Sequence, residues 1–230
     1  MYEELKDAFE LVEHAEQKLL EILNLEAGTL RIGISNTLTQ KYLLPYLEAF
    51  HEQYPNINLT IYTGTTTTLI NKVRNNIIDF IILNLPYPVP NDFNKESLME
   101  VHDIFIANNI FSDLKNKIIN IEDLNQYPLV LLAKGSNTRT FLDDFTMKHN
   151  ILLKADMEFT SNILVTEFSK IGFGIGYTTK EFIKDELQNG KLFEVKTNPA
   201  IPKREIGLIY VKNKVFSKIS KKFIEQLKNK

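Results

Sequence analysis

Cysteine and tryptophan are both missing from the 230 residues. Without cysteine there is no disulfide, no thiolate nucleophile and no Cys-type zinc site. Histidine is scarce. His14, His51, His102 and His149 are the four, and no two lie three to five positions apart, so no histidine metal site is expected. No apolar run reaches the ~18 residues that span a bilayer, and a net charge of −2 is too small for an electrostatic nucleic-acid binder. The first residues, MYEELKDAFELVEHAEQ, are acidic and amphipathic, unlike an export signal. A cytoplasmic protein without membrane contact is the expectation.

Catalytic signatures are missing as well. There is no glycine-rich lysine loop, and GFGIG (172–176) lacks the GxGxxG spacing. Neither Ser35 nor Ser136 sits in a GxSxG elbow. Asp143, Asp144 and Glu181 fall on helical patterns and read as solvated charges. No enzyme activity and no cofactor are expected.

What is present is hydrophobic residue at 43%, enough to bury a sizeable core. Residues 2–25 read as one helix: Leu5, Ala8, Val12, Ala15, Leu19 and Ile22 repeat at spacings of three and four. Such a seam suits a partner helix in a dimer or a surface of its own domain. Gly28 ends the segment as a helix C-terminal glycine does.

Beyond Gly28, strands alternate with helices. TLRIGIS (29–35), INLTIY (57–62) and IIDFIIL (77–83) are apolar runs separated by helical patterns, which predicts a parallel sheet covered on both faces. Asn75–Asn76 supplies a left-handed helix stop. PYPVPND (86–92) and TNPAIPK (197–203) read as loops. A second unit of the same grammar runs through PLVLLA (128–133), helices over 138–149 and 163–171, and strands at 154–159, 174–177 and 191–195. The chain closes with a strand over 205–211 and a lysine-rich amphipathic helix over 216–227, whose lysines read as a solvated face. The expected architecture is a linker helix over 1–27, a first lobe from 28–103 and 204–230, and a second lobe from 104–203.

The polar residues worth attention stand where strands end. Ser35-Asn36-Thr37 follows the first strand, and Ser136-Asn137-Thr138 follows the opening strand of the second unit. Ligands of open α/β sheets bind beyond strand C-termini, where helix N-termini offer unpaired N–H groups and a positive dipole end. Each tripeptide alone is also a good N-cap. Their recurrence points to a shared ligand cleft. A third junction holds Gly64, Thr65 and Thr66 within Thr63–Thr68, more hydroxyls than capping needs, and Asn84 follows the third strand. Arg139, one of four arginines, suits either a ligand carboxylate or an internal ion pair.

With these residues in hand, the chain resembles the linker helix plus effector-binding domain of a LysR-type transcriptional regulator. The carriers are GTLRIGIS, the stretch LLPYLEAFHEQYPNINL (43–59), the IIDFIIL strand, LNQYPLVLL with SNTR behind it, and KIGFGIGYTT. The resemblance covers essentially the whole chain. It implies a two-lobed, type 2 periplasmic-binding-protein-like α/β fold with two crossovers. It also implies a small effector between the lobes, commonly a carboxylate, and homodimers or tetramers. By position it carries effector contacts onto Ser35 to Thr37, Thr65, Asn84 and Ser136 to Arg139, and more weakly onto Thr160, Ser161 and the wall at Gly174–Gly176. Thr63 stands where relatives are often acidic, which favours an anionic ligand. Residues 1–27 hold no recognition helix, so DNA binding is assigned to a helix-turn-helix that precedes them. A transport solute-binding protein and an enzyme on the same scaffold are the alternatives.

Overall fold

The computed structural model describes residue 12 and residues 28–229. The seam of Leu5, Ala8, Ala15, Leu19 and Ile22 therefore lies outside the described residues; Val12 alone among them is described, as helical and exposed. The chain divides into two compact units, one of residues 1–83, 88–99 and 206–230, the other of 84–87 and 100–205.

The first unit is built on the three apolar runs. Strand β1 (Gly28–Ile34) is buried nearly throughout, including Leu30, Ile32 and Ile34. It pairs in parallel with β2 (Ile57–Tyr62) on one side and β3 (Phe80–Leu85) on the other. Between β1 and β2 the chain runs through a short α-helical stretch, Asn36–Leu38, a π-turn, Thr39–Leu43, and helix α1 (Leu44–Gln53). Between β2 and β3 lies α2 (Thr66–Arg74), which stops where Asn76 takes a φ of 60°. β4 (Phe93–Val101) is an edge strand of alternating burial, with Lys95 and Glu100 exposed on it. Charged side chains discourage pairing with foreign edges.

The second unit repeats the plan. Strand β5 (Asp103–Ala107) is buried throughout, β6 (Ile118–Asn120) is short, and β7 (Leu129–Leu132) is fully buried. Helix α3 (Asn137–Lys148) leads from β7 to β8 (Met157–Phe159), and α4 (Asn162–Lys170) leads from β8 to β9 (Ile175–Thr179). β7 is parallel to both β8 and β9. A short helix α5 (Lys184–Gln188) precedes β10 (Phe193–Asn198), and β9 and β10 each pair antiparallel with β5.

The last elements are β11 (Arg204–Val211) and helix α6 (Lys218–Lys228). Among the described residues the strands form two sheets, ordered β2-β1-β3-β11-β4 and β6-β10-β5-β9-β7-β8. In each, the strand that opens the parallel set lies between the next two, so consecutive helices fall on opposite faces. A topological switch point of this kind leaves a crevice beyond the strand C-termini.

Packing follows from these faces. Phe223 of α6 meets Phe50 of α1 edge-on at 4.9 Å and stacks on Phe80 of β3 at 6.4 Å. Ile219, Ile224 and Leu227 are buried beside it, while Lys218, Lys221 and Lys222 stay exposed, as the amphipathic pattern predicts. The second core gathers Phe105, Leu129, Leu131, Leu142, Ile175, Tyr177 and Val195. Burying one such side chain contributes about 1.5–3 kcal/mol.

The first proline loop fills the whole gap expected of it, and the second is shorter than expected. β4 begins at Phe93, directly after the PYPVPND run, and β10 continues to Asn198 before the second proline loop.

Candidate functional site

Each strand-ending junction is now a specific hydrogen-bonded turn. Ser35 holds an extended backbone, φ −76° and ψ 154°, and its Oγ accepts the Leu38 amide at 3.3 Å. Its carbonyl accepts both the amide and the hydroxyl of Thr39, each at 2.9 Å. Asn36 is exposed and Thr37 half-buried, on the first turn that the serine caps. The first amides of a helix have no partner within it.

At the second junction Thr65 is the cap. Its Oγ1 accepts the Thr68 amide at 3.3 Å and shares a 2.9 Å hydrogen bond with the Thr68 hydroxyl. Thr65 and Thr68 are thus used locally, and Thr66 is half-buried in the first turn. A Cβ on Gly64 would meet only Thr68, at 3.9 Å, so the backbone there faces open space. Asn84, near the end of β3, is half-buried, and its Oδ1 is buried without a hydrogen-bond partner among the described residues. A buried orphan acceptor of this kind costs about 1–3 kcal/mol until something donates to it.

The second unit carries the same cap. Ser136 is extended, φ −73° and ψ 143°, and its Oγ accepts the Arg139 amide at 3.1 Å. Gly135 precedes it at φ +90°, a conformation that favours glycine. Asn137 and Thr138 face inward and are held by an arginine that sequence reasoning missed. Arg204 Nη1 donates to Asn137 Oδ1 at 2.9 Å, and Nη2 donates to Thr138 Oγ1 at 2.7 Å. The Arg204 Nε lies against Asp103 Oδ2 in a fully buried ion pair, without the alignment of a hydrogen bond. Asp103 in turn accepts the Thr179 hydroxyl at 2.7 Å and lies 3.5 Å from the Tyr177 hydroxyl. Burial, with Asp103 adding to it, pushes the Tyr177 phenol well above its ordinary range, so it stays protonated. The Phe141 ring lies 5.2 Å from the guanidinium. Charges opening otherwise apolar strands, Asp103 in DIFIA and Arg204 in REIGLIYV, were the only available cue.

Arg139 resolves its open alternative toward internal pairing. Its Nε donates to Asp143 at 2.8 Å, and its Nη1 donates to Glu158 at 2.7 Å and to the Leu132 carbonyl at 2.9 Å. Burial works against its charge, but the two carboxylates outweigh this and hold its pKa above the ordinary value. Asp143 is thus a partner and not a free charge. Glu181 is likewise engaged, accepting the His102 amide at 3.0 Å and the His102 Nδ1 at 2.9 Å.

The weaker candidates divide. Thr160 is exposed after β8, and Ser161 precedes α4 without a side-chain cap. Gly176 is buried in β9, where an added Cβ would meet Ser169 Oγ of α4 at 2.2 Å, so its role is close helix–strand packing. Next to it, Asn162 Oδ1 accepts the Thr178 hydroxyl at 2.6 Å. Neutral hydrogen-bonders and helix starts dominate both junctions. They suit holding a small polar molecule. Among the described residues no helix is long and apolar enough to cross a membrane.

The chain is 26% identical over 223 residues to the transcriptional activator CmpR of Synechocystis sp. PCC 6803, covering 96% of this chain and 72% of that protein. It is 27% identical over 222 residues to the RuBisCO operon transcriptional regulator of Acidithiobacillus ferrooxidans, covering 96% and 71%. Among solved structures it matches the regulatory domain of Synechocystis PCC 6803 CcmR in complex with 2-PG. That match has a TM-score of 0.76 at 21% identity, over 86% of this chain and 95% of the other. The effector-binding domain of QuiR in complex with shikimate gives 0.72 at 18%, over 88% and 96%. These likenesses establish the type 2 periplasmic-binding-protein-like α/β fold. The family model for the LysR substrate binding domain matches residues 23–230, and the chain belongs to that family of transcriptional regulators.

Proposed function

We propose that this chain senses a small, anionic metabolite at its strand-ending junctions and relays occupancy to a DNA-binding helix-turn-helix elsewhere in the regulator. The observation that carries this reading is the repeated corner. In both units Ser-Asn-Thr follows a parallel strand, directly after β1 and three intervening residues after β7, and the serine caps the following helical turn. Ser35, Asn36 and Thr37, with Thr65 and Thr66, are the contacts assigned in the first unit. In the second unit the serine-capped turn at Asn137 and Thr138 takes that role, through main-chain N–H groups, because both side chains are committed to Arg204. Asn84 Oδ1 awaits a donor. Thr160 and Ser161 are assigned secondary contacts. Arg139 is left out of the site.

The relatives support this class of ligand: the CcmR regulatory domain was solved with 2-PG, and the QuiR domain with shikimate. The protein is proposed to act as a cytoplasmic homodimer or tetramer joined in part by residues 1–27, and to carry out no catalysis. Effector binding would shift a pre-existing equilibrium between domain states by its differential affinity for them. A thermal-shift screen of small carboxylates and phosphorylated acids tests the reading. A ligand at a hundredfold excess over its dissociation constant stabilises by about 2.7 kcal/mol, and Ser35→Ala or Ser136→Ala is expected to reduce that gain. A hit whose affinity is the same in both variants and in wild type overturns the proposed site.

A further inference from the structure

The second unit begins at Glu100 and ends at Glu205 along the main stretch of chain, with Asp103 and Arg204 just inside those two points. Both are buried charges, 2% and 3% exposed, among the buried polar side chains Thr138, Thr179 and Tyr177. Buried ion pairs contribute little net stability, and replacement by apolar groups is often neutral or better. Their presence at this place therefore calls for another reason.

The geometry supplies one. Arg204 spends two donors on Asn137 Oδ1 and Thr138 Oγ1, the first two side chains of α3, and turns its Nε to Asp103. Those two side chains are thereby drawn under the helix start and cannot cover it. The main-chain N–H groups of Asn137 and Thr138 stay available, while that of Arg139 is taken by Ser136 Oγ. A guanidinium directly behind a helix N-terminus adds to the dipole's positive end. Asp103, tied down by Thr179 and Tyr177, cancels part of that charge. The acid thus sets how strongly the arginine is felt at the turn.

Resting on the proposed function above, we propose that Arg204 is a positioning and specificity-determining residue of the effector site: it selects for an anion at the α3 start, and Asp103 sets the strength of that selection. Arg204 opens β11, on which the chain leaves this unit, and Asp103 opens β5, the strand next after its entry, so an anion's pull on the guanidinium acts directly on both. The pair is both a charge control and a mechanical link.

A purely structural pair predicts that losing either member weakens binding alike. The charge-setting role predicts opposite signs. A unit charge roughly 7 Å from an anion, at an effective dielectric of about 20, changes affinity by about one to two orders of magnitude. The test is amide chemical-shift titration of the full chain with inorganic phosphate at constant ionic strength. In wild type the Asn137 and Thr138 amides are expected to move saturably. Asp103→Asn is expected to tighten phosphate about tenfold, Arg204→Gln to weaken it about tenfold, and Arg204→Lys, which keeps the charge, to stay near wild type. The double variant D103N/R204Q leaves no unpaired buried charge, covers a misfolded single variant, and, with both charges gone, is expected to bind more weakly than wild type but more tightly than R204Q.

Equal affinity across the variants, or weakening by both Asp103→Asn and Arg204→Gln, overturns this proposal alone. Wild-type amides that do not respond overturn it together with the reading it rests on.

Discussion

Ser35 and Ser136 stand in the same structural place in their two units. Each follows a parallel strand, Ser35 directly and Ser136 after three residues, holds an extended backbone and turns its Oγ onto the amide three residues ahead, at 3.3 Å and 3.1 Å. Each begins a Ser-Asn-Thr run. Their caps differ in what lies beneath. Asn137 and Thr138 are anchored by Arg204, whereas Asn36 is exposed and Thr37 half-buried.

Removing either cap tests the shared geometry. Ser35→Ala and Ser136→Ala each delete one acceptor for an otherwise unpaired amide, and each is expected to lower stability by about 1 kcal/mol. Urea unfolding checks this. An unchanged midpoint in both variants contradicts the capping geometry.

Arg139 is expected to matter for folding and not for ligand. Its side chain is 5% exposed and donates to Asp143, Glu158 and the Leu132 carbonyl. Both carboxylates reach water, so the cost of Arg139→Met falls below that of breaking a fully buried pair, at about 1–3 kcal/mol. Chemical denaturation measures the loss. Effector or phosphate affinity, measured below the midpoint, is expected to stay at the wild-type value.

Gly176 answers to packing. Its missing Cβ is the space that Ser169 Oγ fills, at 2.2 Å, with Ile106 and Val165 at 3.2 Å. Gly176→Ala is expected to destabilise by about 1–3 kcal/mol through overpacking. Adding Ser169→Ala removes the clashing hydroxyl and is expected to recover part of that loss. A single variant as stable as wild type contradicts this packing.

Glu96 predicts a pH dependence in the first unit. Contacts with Lys228, and then with Tyr210, hold its carboxyl below the ordinary glutamate range. Its folded pKa is thus depressed. The stability it contributes is fully present above the unfolded value of about 4.3 and is lost as pH falls through the folded value. The difference in unfolding free energy between wild type and Glu96→Gln is expected to be constant from neutral pH down to about 5 and to shrink below that. A difference that grows on acidification contradicts the assignment.

Much of this was legible in the sequence, because the signals were local. IIDFIIL announced a strand buried on both faces, and Phe80, Ile81 and Ile82 are fully buried. Asn76 announced its left-handed turn, and the SNT runs announced both caps. What stayed hidden was set by distant partners. Asp103 and Arg204 lie far apart along the chain, and nothing near either one names the other. Glu181 read as solvated because His102 meets it only once the chain has folded, whereas Asp143 stands four residues after Arg139 on one helix, a spacing that the sequence did carry. β6 was missed because it is three residues long and mostly exposed, with too little burial to leave an apolar pattern. The Arg139 guanidinium looked equally suited to a ligand carboxylate or an internal pair until Glu158, one strand away, supplied its partner.

The most direct test of the account is a crystal structure of the chain with an anionic hit from the thermal-shift screen. The expected result is an acidic group of the ligand within hydrogen-bonding distance of the main-chain N–H groups at Asn36–Thr37 or Asn137–Thr138, with Ser35 and Ser136 still capping. A ligand bound with full occupancy away from both serine-capped turns contradicts it.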